Sequence, residues 1–179
     1  MFDHILDPTG LSGRSATATV NARRLPTLQG ARVGLLNIPK KNAEPLLTEL
    51  GRLLARDHGA VVSIQRTKHQ FAFPVDEPLL KEMAEASDLV VVGVGDCGSC
   101  SASAVADGIA FERAGVPAAV ICTEAFEVTA RAMAEVHGDA DFEFLLTPHP
   151  VAVLTPEQVD ARAAELVDPV VARVSEVGR

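Results

Sequence analysis

Cys97 and Cys100 stand three residues apart in the stretch Asp96-Cys97-Gly98-Ser99-Cys100. A thiol pair at this spacing lets one sulfur attack and the other resolve, or closes to a disulfide. The stretch follows the most apolar run of the chain, Leu89 to Val94, which reads as a fully buried strand. It precedes Ser101 to Ala114, which reads as a helix. A thiol at that junction lies beside unpaired helix N–H groups, and the helix dipole favours thiolate by about 0.3–1 kcal/mol. In Cys-x-x-Cys contexts at helix starts the pKa falls to roughly 3.5–7.5. Gly98 permits a tight turn and close approach of a ligand. The bland reading is two small core residues, and a pair on a Gly-Ser turn weakens it.

The elements that must position these thiols follow from periodicity. Arg32 to Ile38 reads as the first strand, and Asn42 is placed to cap the next helix, with Pro45 in its first turn. Leu46, Leu47, Leu50, Leu53 and Leu54 form its apolar stripe, and Gly59 ends it. Ala60 to Arg66 is the second strand; a loop with Phe71, Phe73 and Pro74 leads to a helix capped by Asp76. Leu89 to Gly95 is the third strand, and the helix after the thiols turns Ala102, Val105, Ala106 and Ile109 inward. Val116 to Thr123 is the fourth strand, Glu124 to His137 a helix, and Phe142 to Thr147 the fifth strand. Thr155-Pro156-Glu157-Gln158 is a capping box, and its helix is expected to kink or break at Pro169. Residues 1–29 read as an N-terminal arm, and 30–179 as a single α/β domain.

Strands alternating with amphipathic helices predict a three-layer, flavodoxin-like parallel sheet of about five strands, with helices on both faces. In the order 2-1-3-4-5, ligands bind beyond the carboxyl ends of strands 1 and 3. The thiol turn falls there. The same rim collects Asn37, Lys40 and Lys41, then Lys68 and His69, then Cys122, Thr123 and Glu124, and finally His149 between Pro148 and Pro150. Cys97 is expected to attack and Cys100 to resolve, with His149 or Glu124 moving protons. Asn37, Lys40, Lys41, Lys68, Asp96, Gly98, Ser99, Ser101 and Thr123 are expected to hold a small, anionic substrate. Helix capping is the plainer role for Asp96 and Glu124, and core packing for Cys122. Ala104, Gly108 and Phe111 read as an exposed face opposite the core, which predicts a homo-oligomer.

Composition narrows the classes. The chain of 179 residues has no Trp and no Tyr, so its core is aliphatic. A formal net charge of −8 and the lack of a basic stripe argue against nucleic acid as a partner. No apolar run is long enough for a membrane span and no signal-peptide pattern opens the chain, so a cytoplasmic location is expected. Neither a dinucleotide fingerprint nor a Walker A stretch occurs. No cofactor is therefore expected, apart from an external thiol or a thioredoxin-type reductant. Two other classes remain open. One is a soft-metal protein using Cys97, Cys100, Cys122 and His149. The other is a non-catalytic subunit of a larger complex.

The stretch Gly95-Asp96-Cys97-Gly98-Ser99-Cys100-Ser101 closely resembles the signature of the UGSC family of (seleno)proteins. Glu112-Arg113-Ala114-Gly115-Val116-Pro117, Thr123-Glu124-Ala125-Phe126, Pro148-His149-Pro150, Ile5-Leu6-Asp7-Pro8 and Val33 to Asn42 extend the likeness. More distantly, the thiol turn is similar to selenoprotein B subunits of glycine, betaine and proline reductases. That resemblance implies that Cys97 occupies a selenocysteine position and Cys100 that of the partner thiol. A thiol is a weaker acid and a poorer leaving group than a selenol. The resemblance thus implies redox or nucleophilic thiol chemistry and names no substrate.

Overall fold

Strand β3 (Leu89–Gly95) is buried along its whole length. Leu89 and Val91 belong to one apolar cluster, Val90 and Val92 to another. Successive side chains of a strand point to opposite faces, so a strand buried throughout needs cover on both. The computed structural model describes residues 21–176 and shows that cover. Five parallel strands run in the order β2 (Val61–Thr67), β1 (Arg32–Asn37), β3, β4 (Ala118–Thr123) and β5 (Leu145–Thr147). Helices α1 (Ala43–His58) and α5 (Pro156–Val174) pack on one face. Helices α2 (Glu77–Ala86), α3 (Gly98–Arg113) and α4 (Glu127–Val136) pack on the other. This is the expected flavodoxin-like order and layering. No helix among the described residues is long and apolar enough to cross a membrane.

Local chemistry moves several boundaries. Helix α3 starts at Gly98 rather than Ser101, because the Cys97 side chain is its N-cap and accepts from Cys100 N–H. Asn42 does not cap α1 with its side chain; it adopts φ 67° and donates its amide to the carbonyls of Val151 and Leu154. Asp76 does cap α2, accepting from Leu79 N–H, and the Thr155–Gln158 capping box is complete. A 3₁₀ turn, Glu124–Phe126, precedes α4. Helix α5 does not break at Pro169 but runs on to Val174. Leu166, Val167, Val170 and Val171 are buried on both sides of the proline, and that packing carries the helix across one missing hydrogen bond.

Helix α3 corrects the expected oligomer surface. Ala104 and Phe111 are both fully buried, in the cluster shared with β3, β4 and α4. At Gly108 a Cβ would overlap Val120 and Phe142, so the glycine lets the helix lie directly on the sheet. Phe111 packs inside its own chain, and the argument for self-association from an exposed Phe111 loses its basis.

Residues 1–20 of the expected arm, including Ile5 to Pro8, lie outside the described residues. Of the remainder, Ala22 and Leu28 are buried. Leu25 N–H donates to Val174 O at 3.0 Å, and Glu176 N–H donates to Leu25 O at 2.9 Å. The buried Glu112 carboxylate accepts from Ala22 N–H at 2.8 Å, Arg24 Nη1 at 2.9 Å, Ala118 N–H at 3.0 Å and Arg173 Nη2 at 3.3 Å. Glu112→Ala strips two enclosed guanidinium groups of their counter-charge. Urea denaturation is expected to show a loss of about 3–5 kcal/mol, as for breaking a buried ion pair. A loss no larger than that of an exposed pair, under about 1 kcal/mol, would contradict a structural role for the cluster.

Candidate functional site

The end of β3 and the start of α3 press together at Gly95. A Cβ on Gly95 would lie 2.8 Å from Ser101 Cα and 2.9 Å from Cys122 Sγ, so only glycine fits. Gly95 O accepts from Ser101 Oγ at 3.0 Å and from Thr123 Oγ1 at 3.2 Å. Cys97 and Cys100 form a disulfide, with Cα atoms 5.1 Å apart. Cys97 Sγ accepts from Cys100 N–H at 3.3 Å, and Ser99 Oγ lies 3.6 Å from it. Cys97 is half-buried, whereas Cys100 has no exposed surface. Of the pair, only Cys97 has exposed surface.

The loop after β5 brings His149 to the same turn. Its Nδ1 lies 3.0 Å from Asp96 Oδ1 and 3.1 Å from Thr123 Oγ1. The Phe126 ring meets the imidazole edge-on at 5.3 Å, and Phe126 Cδ1 would be 4.0 Å from a Cβ on Gly98. One aromatic ring thus neighbours both His149 and Gly98 of the thiol turn. Asp96 does not cap α3, a place that Cys97 takes. Its oxygens accept from Val151 N–H at 3.1 Å and Ala152 N–H at 2.8 Å as well as facing His149. Arg162 of α5 donates to Pro148 O at 2.8 Å and Thr147 Oγ1 at 3.0 Å, which fixes the strand end next to His149.

The remaining rim residues divide. Lys40 stands 3.9 Å over the Phe71 ring, and Lys41 is exposed. Ser99 and Glu124 are exposed, and a Cβ on Gly98 would make ordinary contacts with Thr129 Oγ1 at 3.9 Å and Phe126 Cδ1 at 4.0 Å. Asn37 is buried and donates to Thr67 Oγ1, and Ser101 is buried with its hydroxyl on Gly95 O. Lys68 is not a free rim cation. Its Nζ is enclosed, 2.5 Å from Asp107 Oδ2 and 3.1 Å from Ser103 Oγ. Ser103 Oγ donates to Phe71 O at 2.6 Å, and Asp107 accepts from Val75 N–H at 2.6 Å. The pair thereby staples the 68–75 loop to α3. Burial pushes the Cys122 thiol up to about 12, so it is not a nucleophile at neutral pH. Among the described residues no group of three or more His, Cys, Asp or Glu side chains is arranged to hold a metal ion.

Sequence reading named Phe126 only within the family likeness, and it missed Ser103 and Asp107. The last two had a signal: a hydroxyl and a carboxylate four residues apart among Ala, Val and Ile demand buried partners.

The family model described as the UGSC family matches residues 4–176. No curated protein matches the chain.

Burial pushes the Asp107 carboxyl up to about 6, outweighing the downward pull of Lys68. The unfolded value is near 3.8, so between these values the folded state binds more protons than the unfolded state. This contribution is full below the unfolded value and is lost as pH rises through about 6. In urea titrations from pH 4 to 6.5, the stability of the native protein minus that of Asp107→Asn is expected to fall with rising pH. A rise across this window would reverse the assignment.

Proposed function

The chain belongs to the UGSC family, and on that footing we propose that it is a thiol enzyme acting on a small, anionic, electrophilic metabolite. The observation that carries this reading is the asymmetry of the thiol pair. Cys97 is half-buried, sits at the helix start and accepts a backbone N–H, while Cys100 is enclosed behind it. Those features favour the Cys97 thiolate as the attacking group and Cys100 as the resolving one. The Cys97 thiolate attacks an electrophilic atom, forms a sulfur–substrate bond, and a leaving group departs with its electron pair. Cys100 then attacks the Cys97 sulfur as its S–H proton is lost to the departed leaving group. The disulfide forms, and the substrate fragment leaves with the electron pair of the broken bond and takes a proton by way of His149. Two electrons have passed from the dithiol to the substrate. An external dithiol, a small thiol or a thioredoxin-type protein, returns both cysteines to thiols. Lys40 and Lys41 supply positive charge for the anionic end.

The two sulfurs are expected to fail differently. Cys97→Ser should abolish turnover and alkylation at low pH, because serine is scarcely ionised there. Cys100→Ser should react once and accumulate a substrate-derived adduct on Cys97. Intact-mass spectrometry of protein incubated with candidate metabolites, with and without reductant, reads both. Normal turnover by Cys100→Ser would eliminate the two-thiol route, and full activity in Cys97→Ser would overturn the reading.

For a substrate found in that screen, replacing whichever of Lys40 and Lys41 touches it by alanine should cost about 1.5–3 kcal/mol of binding. Folding stability should move by less than about 1 kcal/mol. Unchanged binding in both variants would remove the lysines from the site.

A further inference from the structure

Two groups meet at His149 Nδ1, and neither has a proton to give it. Thr123 Oγ1 spends its single proton on Gly95 O, 3.2 Å away, so toward the imidazole it presents a lone pair. The Asp96 carboxylate already accepts from Val151 and Ala152 N–H, and toward the imidazole it too is an acceptor. Two acceptors converging on one ring nitrogen place the proton on that nitrogen. Nε2 has no hydrogen-bond partner among the described residues, and the His149 side chain is 36% exposed.

We propose that Asp96 and Thr123 are positioning residues that lock His149 as the Nδ1–H tautomer and leave Nε2 as the proton acceptor of the thiol site. The proposal rests on the thiol reading above and gives roles to two residues first expected to touch substrate. Asp96 directly precedes Cys97, so the group that orients the base and the thiol it serves share one backbone turn. When Nε2 takes the Cys97 proton, the S–H bond breaks, the sulfur keeps the electron pair, and the imidazolium lies against the Asp96 carboxylate. When the substrate fragment leaves, the same proton is handed to it and neutral imidazole is restored. Of the charged side chains on the adjoining elements, Glu124 after β4 is exposed, and Arg162 of α5 is paired with Glu165 at 3.1 Å and donates to Pro148 O. Neither bonds the ring.

Two readouts on the reduced full chain test this. The first is the ring-nitrogen NMR spectrum of ¹⁵N-histidine-labelled protein, with His149→Gln identifying the signal among the five histidines. It is expected to show neutral His149 protonated at Nδ1, and a shift toward Nε2–H in Asp96→Asn, whose carboxamide can donate. The second is the pH profile of Cys97 alkylation by iodoacetamide. Asp96→Asn and Thr123→Val should lose the low-pH limb of reactivity, as His149→Gln does, and Thr123→Ser should restore it by keeping the hydroxyl. Loss of a merely structural contact would lower stability without moving the tautomer. A native His149 found as Nε2–H, or an alkylation profile in folded Asp96→Asn equal to the native one, overturns the proposal. The NMR readout needs no reactive thiol, so it fails separately from the thiol reading.

Discussion

The Asp96 carboxylate governs the geometry of the carboxyl edge. Its side chain is 5% exposed, and a carboxylate so enclosed is tolerable only when its oxygens are satisfied. The partners available are the N–H groups of Val151 and Ala152 and the imidazole of His149. Two chain regions more than fifty residues apart are therefore held in one arrangement, since separating them would strand a buried charge. The turn that carries the sulfurs begins at the very next residue. Its position on the sheet is set from below by Gly95, where Ser101 comes too close for any side chain.

Helix α3 extends this logic through the molecule. Sheet, α2 and α4 cover it, and its two buried carboxylates face different neighbours. Asp107 fastens the loop after β2 through Lys68 and Val75 N–H. Glu112 gathers the segment around Ala22, the start of β4 and the end of α5 through Arg173. Such groups contribute little net stability compared with apolar substitutes, but removing one partner is expensive. They act as registration marks, each admitting one arrangement of the segments around the helix.

The order of strands was legible because Leu89 to Val94 has no polar residue to spare for a solvent face, and helices alternate with strands on either side of it. The thiol turn was legible because strand, turn and helix signals adjoin within a few residues. The rest depends on relations that periodicity does not carry. A helix covered on several sides has no polar stripe, so Phe111 looked outward when it points into the core. Lys68 follows a strand end, where an exposed cation is ordinary, and its partner lies 39 residues further on. Asn42 reads as a cap because capping is local, yet its amide serves carbonyls more than a hundred residues away. Pro169 signals a break, and nothing local records that the flanking valines are anchored in the core.

Cys100 lies wholly within the apolar cluster beneath α3, and that sets the direction in which the disulfide opens. An incoming thiolate must meet a sulfur in line with the bond it breaks, and the enclosed Cys100 sulfur offers no approach, which leaves Cys97. The mixed disulfide then forms on Cys97, and Cys100 is expelled inward as the leaving group. Anionic sulfur in apolar surroundings is costly, and the helix-start N–H that would ease it bonds the other sulfur. Adventitious thiols of the bulk solution therefore face an uphill departure, and the closed bond is kinetically guarded. On the proposed thiol reading, a competent reductant delivers a proton together with its electrons.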